Sequence, residues 1–204
     1  KKICFASSSE VYAYSLQKKL AKYPTPESVD FLISKDFNSR SSYLLSKIVG
    51  EYLINYSQLN FVIFRPHNIF GPQMGFRHVI PQLTEKIIKS SKNKIIIQNA
   101  KHKRTFCDIN FAIQLIYTIS HNKDSSKKTF NIGSPDREIS IIELAKKIKK
   151  ILNSEKLLIS SKIKKYNSPE KRKPDMKRSL RFVRSKHNFE RGLKETVLWY
   201  KKNC

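Results

Sequence analysis

Residues 41–56 read Ser-Ser-Tyr-Leu-Leu-Ser-Lys-Ile-Val-Gly-Glu-Tyr-Leu-Ile-Asn-Tyr. The apolar side chains of this stretch recur at the spacing of one face of an α-helix. The pattern predicts a helix over Ser42–Ser57, and the breadth of the apolar face predicts burial on more than one side. Tyr43 and Lys47 are four positions apart, so both point from the same face of this helix.

Two short β-rich runs flank the helix. The upstream run, Ile3–Ala6, leads into Ser7-Ser8-Ser9, and the downstream run, Phe61–Phe64, breaks into a loop rich in proline and glycine. Strands that alternate with helices indicate a parallel sheet, and open α/β folds bind ligands at the carboxyl edge of that sheet. The sequence therefore predicts a site where these strands end, beside Tyr43 and Lys47.

The remaining chain continues the alternation. Further strands are predicted at Lys94–Gln98, Thr129–Ile132 and Lys156–Ser160. Further helices are predicted at Val79–Ser90, Ile109–Ser120, Ile141–Leu152 and Arg191–Lys202. Ser140 followed by Glu143 forms a capping box, and Asp108 is a suitable N-cap for the following helix. The lysine-rich stretch 161–184 is predicted to form loops around one short element.

Composition limits the class of protein. The 204 residues are 39% hydrophobic and 11% aromatic, which is typical of a folded domain and not of a disordered chain. No apolar run approaches the ~20 residues that would span a bilayer, so no membrane partner is expected. Cys4, Cys107 and Cys204 are far apart, which favours free thiols in a reducing cytoplasm. Neither the cysteines nor the histidines have metal-ligand spacing, so no metal is expected.

The formal net charge is +25, from 41 basic and 16 acidic residues. Such a charge is compatible with a nucleic-acid-binding domain, because Lys and Arg neutralise phosphates. The basic residues form no zinc finger or other docking element, which favours lysines spread over solvated surfaces. We therefore expect no nucleic-acid partner, although a positive field would attract an anionic substrate. A basic nucleic-acid-binding domain stays an alternative to an enzyme.

The Tyr43/Lys47 pair has a chemical interpretation. An ammonium beside a phenol stabilises the phenolate, which can then remove a proton from a sugar hydroxyl while hydride leaves the same carbon. The spacing alone is weak, since Tyr14 and Lys18 repeat it, and a packed tyrosine beside a solvated lysine explains either pair. The motifs around Tyr43 and Lys47 separate the two interpretations.

These motifs follow one another in a fixed order. They are Ser8-Ser9-Glu10-Val11-Tyr12, Tyr43…Lys47, Arg65-Pro66-His67-Asn68-Ile69-Phe70-Gly71-Pro72, Arg104-Thr105-Phe106-Cys107-Asp108, Phe130-Asn131-Ile132-Gly133 and Arg172-Lys173-Pro174-Asp175. Together they resemble the extended short-chain dehydrogenase/reductase family, in particular its NAD-dependent nucleotide-sugar epimerases, dehydratases and decarboxylases. The resemblance extends over essentially the whole chain and includes UDP-glucose 4-epimerases and UDP-glucuronate decarboxylases.

The resemblance implies roles for the matching catalytic residues. Tyr43 would be the catalytic base and acid, Lys47 would stabilise its phenolate and bind the nicotinamide ribose, and Ser8 would hold the reacting hydroxyl. Glu10 matches a catalytic glutamate of the family's decarboxylases and dehydratases. From the residues alone, Glu10 is equally well explained as a strand-end carboxylate paired with a nearby lysine.

The resemblance also implies the binding residues. The cofactor would be NAD, contacted by Tyr43, Lys47, Ser7 and Pro66. The nucleotide-sugar diphosphate would be contacted by Asn68, Arg104 and Arg172, since arginine forms charge-assisted, often bidentate bonds with phosphate. The alternatives are an Asn68 that stabilises its own turn and arginines that are solvated surface charges.

The implied reaction is transient oxidation at sugar C4. Epimerisation is the first choice, with decarboxylation as the alternative, because Glu10 and Arg104 fit both. The family's 4,6-dehydratases have an acidic residue immediately before the glutamate, where this chain has Ser9, and this disfavours dehydration. The protein would be an isomerase, or else a lyase, of cytoplasmic nucleotide-sugar metabolism and polysaccharide biosynthesis.

The implied fold is α/β. Residues 1–65 and 101–133 would form the C-terminal part of a Rossmann-type parallel sheet, and residues 66–100 and 134–204 a small α/β substrate-binding lobe. The family begins with a Gly-x-x-Gly-x-x-Gly turn that holds the NAD pyrophosphate, and these residues, with 5 glycines, contain no such turn.

We therefore expect the N-terminal NAD-binding segment to be absent, or to come from a separately encoded N-terminal half. By itself the chain is expected to bind NAD poorly and to be inactive, and a non-catalytic remnant is the further alternative. The resemblance implies a homodimer through the Tyr43/Lys47 helix.

Overall fold

The structure is a computed structural model that describes residues 1–35, 38–161 and 169–203. Its strands are β1 (Ile3–Ala6), β2 (Phe61–Pro66), β3 (Ile69–Phe70), β4 (Lys94–Ile97), β5 (Lys103–Arg104), β6 (Cys107–Asp108), β7 (Lys128–Ile132), β8 (Ile139–Ser140), β9 (Leu157–Ser160) and β10 (Lys171–Arg172). Its helices are α1 (Ala13–Gln17), α2 (Ser39–Tyr56), α3 (Val79–Lys89), α4 (Ile109–His121), α5 (Ile141–Ile151) and α6 (Phe189–Asn203). The predicted strands and helices are all present, with ends shifted by at most three residues.

The central sheet has three parallel strands in the order β1-β2-β7. In this sheet Val62 of β2 pairs with Cys4 on one side and Lys128 on the other. Because β2 has a neighbour on each side and is covered on both faces, its Phe-Val-Ile-Phe run is continuously apolar and buried. Strand β1 lies at an edge, where Ile3 and Cys4 are exposed. The prediction of a parallel α/β fold is confirmed.

Helix α2 connects β1 to β2. It begins at Ser39, three residues earlier than predicted, because the Asn38 side chain accepts hydrogen bonds from Arg40 N and Ser41 N while Ser41 Oγ caps Asn38 N. Gly50 lets the helix approach β1 closely, since a Cβ there would overlap the Phe5 ring.

The apolar face of α2 is only partly covered. Leu44 and Ile48 are buried, as is the charged Glu51. Six other large apolar side chains on this helix are 41–89% exposed, namely Tyr43, Leu45, Val49, Tyr52, Leu53 and Tyr56, and Ile54 is half-buried. The Phe31 ring contacts the Tyr52 ring on this outer face, with their centroids 6.4 Å apart, but most of the face stays exposed. The described residues therefore do not bury the helix on more than one side as predicted.

Helix α4 packs on the central sheet. Its apolar side chains, Phe111, Leu115 and Ile119 among them, form one core with the β2 and β7 side chains Val62, Phe64, Phe130 and Ile132. Asp108 starts the helix, with Oδ1 accepting from Asn110 N at 3.0 Å and from Phe111 N at 3.3 Å. The predicted N-cap is confirmed.

A second core lies outside the central sheet. It is formed by apolar side chains of α3, α5, α6 and β4, including Ile80, Leu83, Ile87, Ile95, Ile97, Leu144, Ile148, Leu193 and Val197. Strand β4 pairs in parallel with β9. The predicted capping box starts α5, with Glu143 N donating to Ser140 Oγ and Ser140 N to Glu143 Oε2. A separate core favours a second lobe. The boundaries of this lobe, at residues 66–100 and 134–204, stay a prediction.

A second three-stranded sheet has the strand order β10-β5-β8. Arg172 and Arg104 are paired residues in it. Within stretch 161–184, predicted to hold one short element, the structure has β10 and a 3₁₀ turn at Ser179–Phe182. Residues 162–168 of that stretch lie outside the described residues.

Among the described residues, none of the helices is both long enough and apolar enough to cross a bilayer. In the same part of the chain, no group of three or more His, Cys, Asp or Glu side chains is arranged to hold a metal ion. Cys4 and Cys107 are free thiols, and Cys204 lies outside the described residues.

Candidate active site

Three buried serines follow β1 where the strand ends. Ser8 is the N-cap of a 3₁₀ turn at Ser9–Tyr12, and its Oγ accepts a hydrogen bond from Glu10 N at 3.2 Å. Ser7 Oγ donates a short hydrogen bond to Glu51 of α2. The serines therefore lie at the carboxyl edge of the parallel sheet, where the sequence predicted a site.

Tyr43 and Lys47 lie side by side at this edge. Lys47 Nζ is 5.6 Å from the centroid of the Tyr43 ring and donates to Ala6 O at 2.9 Å. Ala6 is the last residue of β1 and precedes the serines directly. The Tyr43 ring is 46% exposed, so it is open to a ligand. The competing pair differs, because α1 ends at Gln17 and leaves Lys18 exposed beyond the helix.

Glu51 extends this face of α2 into the interior. It is one helical turn beyond Lys47 and only 2% exposed. Both oxygens of its carboxylate bind Arg65 at the end of β2, with Nη2–Oε2 at 2.5 Å and Nε–Oε1 at 2.8 Å. Since Glu51 also accepts from Ser7, one buried ion pair fixes α2 against β2 and the serine turn.

A neutral polar network continues from Arg65. Its Nη1 donates to Tyr12 Oη at 2.6 Å, and Tyr12 Oη donates to Asn131 Oδ1 at 3.0 Å. Burial raises the pKa of Tyr12 above its usual range and lowers the pKa of His67 to about 3. His67 is therefore neutral, and its Nε2 lies 3.0 Å from Asn131 Oδ1.

Pro66 and Asn68 lie on either side of His67. Pro66 is the last residue of β2 and is half-buried opposite Ile132. Asn68 has a positive φ of 45°, and its Nδ2 donates to Thr105 O at 3.0 Å. Asn68 thus connects the loop after β2 to the segment after β5, and this bond does not lie within its own turn. No contact of this structure tests its expected role at the diphosphate.

Arg104 and Arg172 are neighbours on paired strands, and each is less than a tenth exposed. Arg104 donates to the carbonyl oxygens of Lys103, Pro169 and Glu170 at 2.6–2.9 Å. Burial, together with the nearby charge of Arg172, lowers the pKa of Arg104 to about 10. Two crowded guanidiniums of this kind form a site suited to an anion. The surface-charge alternative does not hold, because both side chains are buried.

Glu10 connects this arginine pair to α2. Its Oε1 accepts from Arg172 Nη1 at 2.5 Å and its Oε2 from Arg40 Nε at 2.7 Å. Burial raises the pKa of Glu10, but the charges and hydrogen bonds of Arg172 and Arg40 outweigh it and lower the pKa to about 2. Glu10 is therefore a carboxylate at neutral pH. It has two arginine partners where the residue pattern suggested a lysine.

Arg40, Glu51 and Arg65 were not predicted as residues of this site. A signal was present for Glu51, which is the single carboxylate of α2 in a run of mostly apolar residues and would need a partner if buried. Arg65 ends an apolar strand and is the matching cation. Arg40 carries no signal of its own, because its contact with Glu10 depends on how α2 meets the serine turn.

Residues 1–133 match the model of the NAD dependent epimerase/dehydratase family. A curated relative is the bifunctional polymyxin resistance protein ArnA of Wigglesworthia glossinidia brevipalpis. It is 34% identical over 168 residues, and the match covers 76% of this chain and 25% of that protein. The chain therefore spans about a quarter of the length of this relative.

Two solved structures share the fold. One is a UDP-N-acetylglucosamine 4-epimerase from Methanobrevibacter ruminantium M1 in complex with UDP-N-acetylmuramic acid, with a TM-score of 0.79 at 22% identity. The alignment includes 100% of this chain and 64% of that enzyme. A UDP-glucuronic acid 4-epimerase from Bacillus cereus, in complex with UDP-glucuronic acid and NAD, has a TM-score of 0.80 at 18% identity. This chain aligns over its full length with 62% of that enzyme.

Proposed function

We propose, from the premise that this chain belongs to the NAD-dependent epimerase/dehydratase family, that it supplies the catalytic and sugar-binding residues of a nucleotide-sugar epimerase. The observation that carries the proposal is the Tyr43/Lys47 pair, held at the end of β1 by the bond from Lys47 Nζ to Ala6 O. The chain spans 64% or less of the relatives described above, so the activity proposed is that of the whole protein.

The cofactor of the family is NAD, and the groups at this sheet edge fit it. An ammonium and an accessible phenol lie together at the carboxyl end of a parallel strand, and both can donate to ribose hydroxyls. We assign Tyr43 and Lys47 to the nicotinamide side, with Ser7 and Pro66 at the ends of β1 and β2 beneath them. When bound, NAD accepts a hydride from a sugar carbon and returns it.

The residues of this chain would handle the proton. The Lys47 ammonium would stabilise the phenolate form of Tyr43, and this phenolate would take the proton from the C4 hydroxyl of the sugar and become a phenol. Ser8 Oγ, at the same strand end, hydrogen-bonds the oxygen that loses the proton. The Tyr43 phenol would return this proton to the sugar oxygen once the carbon is reduced again, and reduction from the opposite face would invert the configuration at C4.

The substrate phosphates would bind on the other side of the serine turn. Arg104 and Arg172 present two buried positive charges on adjacent strands, which favours a diphosphate over a neutral ligand. Asn68, connected to the same segment through Thr105 O, is assigned to this end of the substrate. A nucleotide sugar spanning the two ends places its sugar between the arginines and Tyr43.

The state of Glu10 supports epimerisation over dehydration. Elimination of water needs a carboxyl group that can give a proton to the leaving hydroxyl, whereas Glu10 is ionised and bound by two arginines. Decarboxylation is the second candidate, because the same buried arginines would attract a substrate with an additional carboxylate. We further propose a cytoplasmic location, supported by the free thiols of Cys4 and Cys107.

The test is product analysis with the full-length protein that carries this chain. NAD is added with UDP-glucose, UDP-N-acetylglucosamine or UDP-glucuronate, and the sugars are identified by NMR. Conversion to the C4 epimer supports the proposal, and release of carbon dioxide from UDP-glucuronate identifies a decarboxylase. No conversion of any substrate favours a non-catalytic remnant. Steeply salt-dependent affinity for arbitrary DNA would favour a nucleic-acid-binding protein instead.

A further inference from the structure

We propose that Glu10 and Arg40 are positioning residues that hold the Arg172 guanidinium with its Nε edge presented to an anionic group of the substrate. In this role Glu10 transfers no proton. The identity of the anion, a nucleotide diphosphate, rests on the proposed function. The arrangement of the three side chains is independent of it.

The two oxygens of Glu10 are divided between two cations. Oε1 is bound by Arg172 Nη1 at 2.5 Å and Oε2 by Arg40 Nε at 2.7 Å. The side chains of Glu10 and Arg172 are 23% and 10% exposed, so the contact between them is largely shielded from solvent. A carboxylate engaged at both oxygens by charged donors is held in one orientation, and so are its partners.

The free edge of Arg172 is the feature that needs a ligand. Its Nε is buried and has no hydrogen-bond partner among residues 1–35, 38–161 and 169–203. A buried N–H without an acceptor is costly, and guanidinium N–H groups carry positive charge. With Nη1 fixed by Glu10, the side chain cannot rotate to satisfy Nε elsewhere without breaking that ion pair.

The neighbouring charges define what the edge would bind. Arg104 is paired with Arg172 across β5 and β10, so the edge lies in a positive environment. The charge of Glu10 is already shared between two arginines. A phosphate oxygen would meet the need of Nε for an acceptor and the need of the cluster for negative charge.

Arg40 extends this arrangement to the catalytic helix. It lies in the first turn of α2, two residues after the Asn38 cap and three residues before Tyr43. Glu10 therefore joins three elements, namely the serine turn, the start of α2 and β10. The same carboxylate that orients Arg172 also fixes the end of the helix that carries Tyr43.

The chemistry of Glu10 argues against proton transfer. A group that exchanges protons during turnover needs a pKa near the working pH and an oxygen that can reach the substrate. Both Glu10 oxygens are bound to arginines, and the lowered pKa agrees with a permanently ionised group.

The experiment measures binding of UDP and of uridine to the full-length protein by calorimetry. Uridine lacks phosphate and is the matched ligand. We expect Glu10→Gln to raise the Kd for UDP about tenfold, the effect of weakening one charge-assisted bond, and to leave the Kd for uridine unchanged. Arg40→Met should raise the Kd for UDP severalfold, and Arg40→Lys should restore part of the loss. The double variant should be little worse than Glu10→Gln, because both act through one contact.

A second measurement excludes a merely structural or a catalytic role. Arg191→Met, which removes an exposed arginine from α6, is the control and should leave both Kd values unchanged. Kinetic analysis of Glu10→Gln should show a raised KM for the nucleotide sugar and an unaltered pH profile of kcat. Equal losses for UDP and uridine would overturn the proposal. So would unchanged UDP affinity combined with a kcat reduced a hundredfold or more, the result expected of a proton-transfer group.

The two proposals are distinguishable because UDP binding needs no turnover. A wild-type protein that binds UDP but converts no nucleotide sugar would overturn the proposed epimerase. The change in the Kd for UDP relative to the change in the Kd for uridine, between wild type and Glu10→Gln, would still test the role of Glu10.

Discussion

Glu51 on α2 and Arg65 at the end of β2 form a buried ion pair in which Arg65 Nε and Nη2 each bind one carboxylate oxygen. Their side chains are 3% and 5% exposed. Tyr43, Lys47 and Glu51 succeed one another at intervals of four along one face of the helix. The position of the candidate catalytic pair is therefore set by an ion pair in the interior.

Loss of one partner of this pair should destabilise the fold. We expect Arg65→Met to lower the free energy of unfolding by about 3–5 kcal/mol, because Glu51 would remain buried without a counter-charge. Urea unfolding measures the change. The double variant Glu51→Leu/Arg65→Met should regain most of the stability, and the exposed control Arg191→Met should show no measurable change. An Arg65→Met protein as stable as the wild type would contradict this account.

Removal of the Tyr43 hydroxyl should abolish catalysis without affecting binding. In the full-length protein we expect Tyr43→Phe to reduce kcat by about 10²–10⁴-fold, the usual contribution of a positioned acid or base. The Kd for the nucleotide sugar should stay the same, because the aromatic ring is retained. Tyr56→Phe is the matched control, since Tyr56 lies on the same helix and is 89% exposed. Normal turnover by Tyr43→Phe would refute the assigned role.

The Glu10 carboxylate should contribute to stability only above acidic pH. Its pKa is lowered from 4.5 to about 2 in the folded protein, so its contribution is complete above the unfolded value and is lost as pH falls towards 2. The stability difference between wild type and Glu10→Gln should be constant above about pH 5, at roughly 3 kcal/mol at most. It should disappear between about pH 4.5 and 2. Urea unfolding across this range tests the prediction, and a difference that persists at pH 2 would contradict it.

The outer face of α2 should mediate self-association, as the resemblance to a homodimeric family implies. Tyr52 and Leu53 are 67% and 66% exposed, and adjacent apolar side chains extend the face. We expect Tyr52→Glu/Leu53→Lys to shift the full-length protein from dimer to monomer in sedimentation velocity, with its unfolding midpoint at infinite dilution unchanged. Tyr117→Glu on α4, also an exposed tyrosine, is the control. A monomeric wild type would dismiss the interface.

Local patterns predicted the long elements well. Strand β2 is recognisable because a strand between two neighbours must be apolar throughout, and α5 because Ser140 and Glu143 cap it within four residues. The two-residue strands β5 and β10 were missed, since strands this short are defined only by their pairing with distant segments. Helix α1, five residues long, also lacks a periodic pattern.

The placement of residues at the candidate site was predictable where it depends on order along the chain. Ser8, Tyr43 and Lys47 follow from a strand that ends in serines before a helix. The partners of Glu10 were not predictable, because Arg40 and Arg172 reach it from distant segments through tertiary contacts. Glu51 is buried in an ion pair with Arg65, and the spacing of residues along the helix does not indicate which cation is its partner.

The pairing of β1 with β2 leaves alternate amide groups of β1 directed outward. Ile3 N and Ser7 N both donate towards β2, to Asn60 O and Phe64 O at 2.8 Å. The intervening amides of Cys4 and Ala6 must then point to the open side of the strand. Deuterium should enter those two positions quickly and the Ile3 and Ser7 amides slowly, unless another strand is hydrogen-bonded along β1. Hydrogen exchange at these four amides thus shows whether another strand is hydrogen-bonded along β1. The Ile3 and Ser7 amides, which are bonded to the β2 side, are the reference.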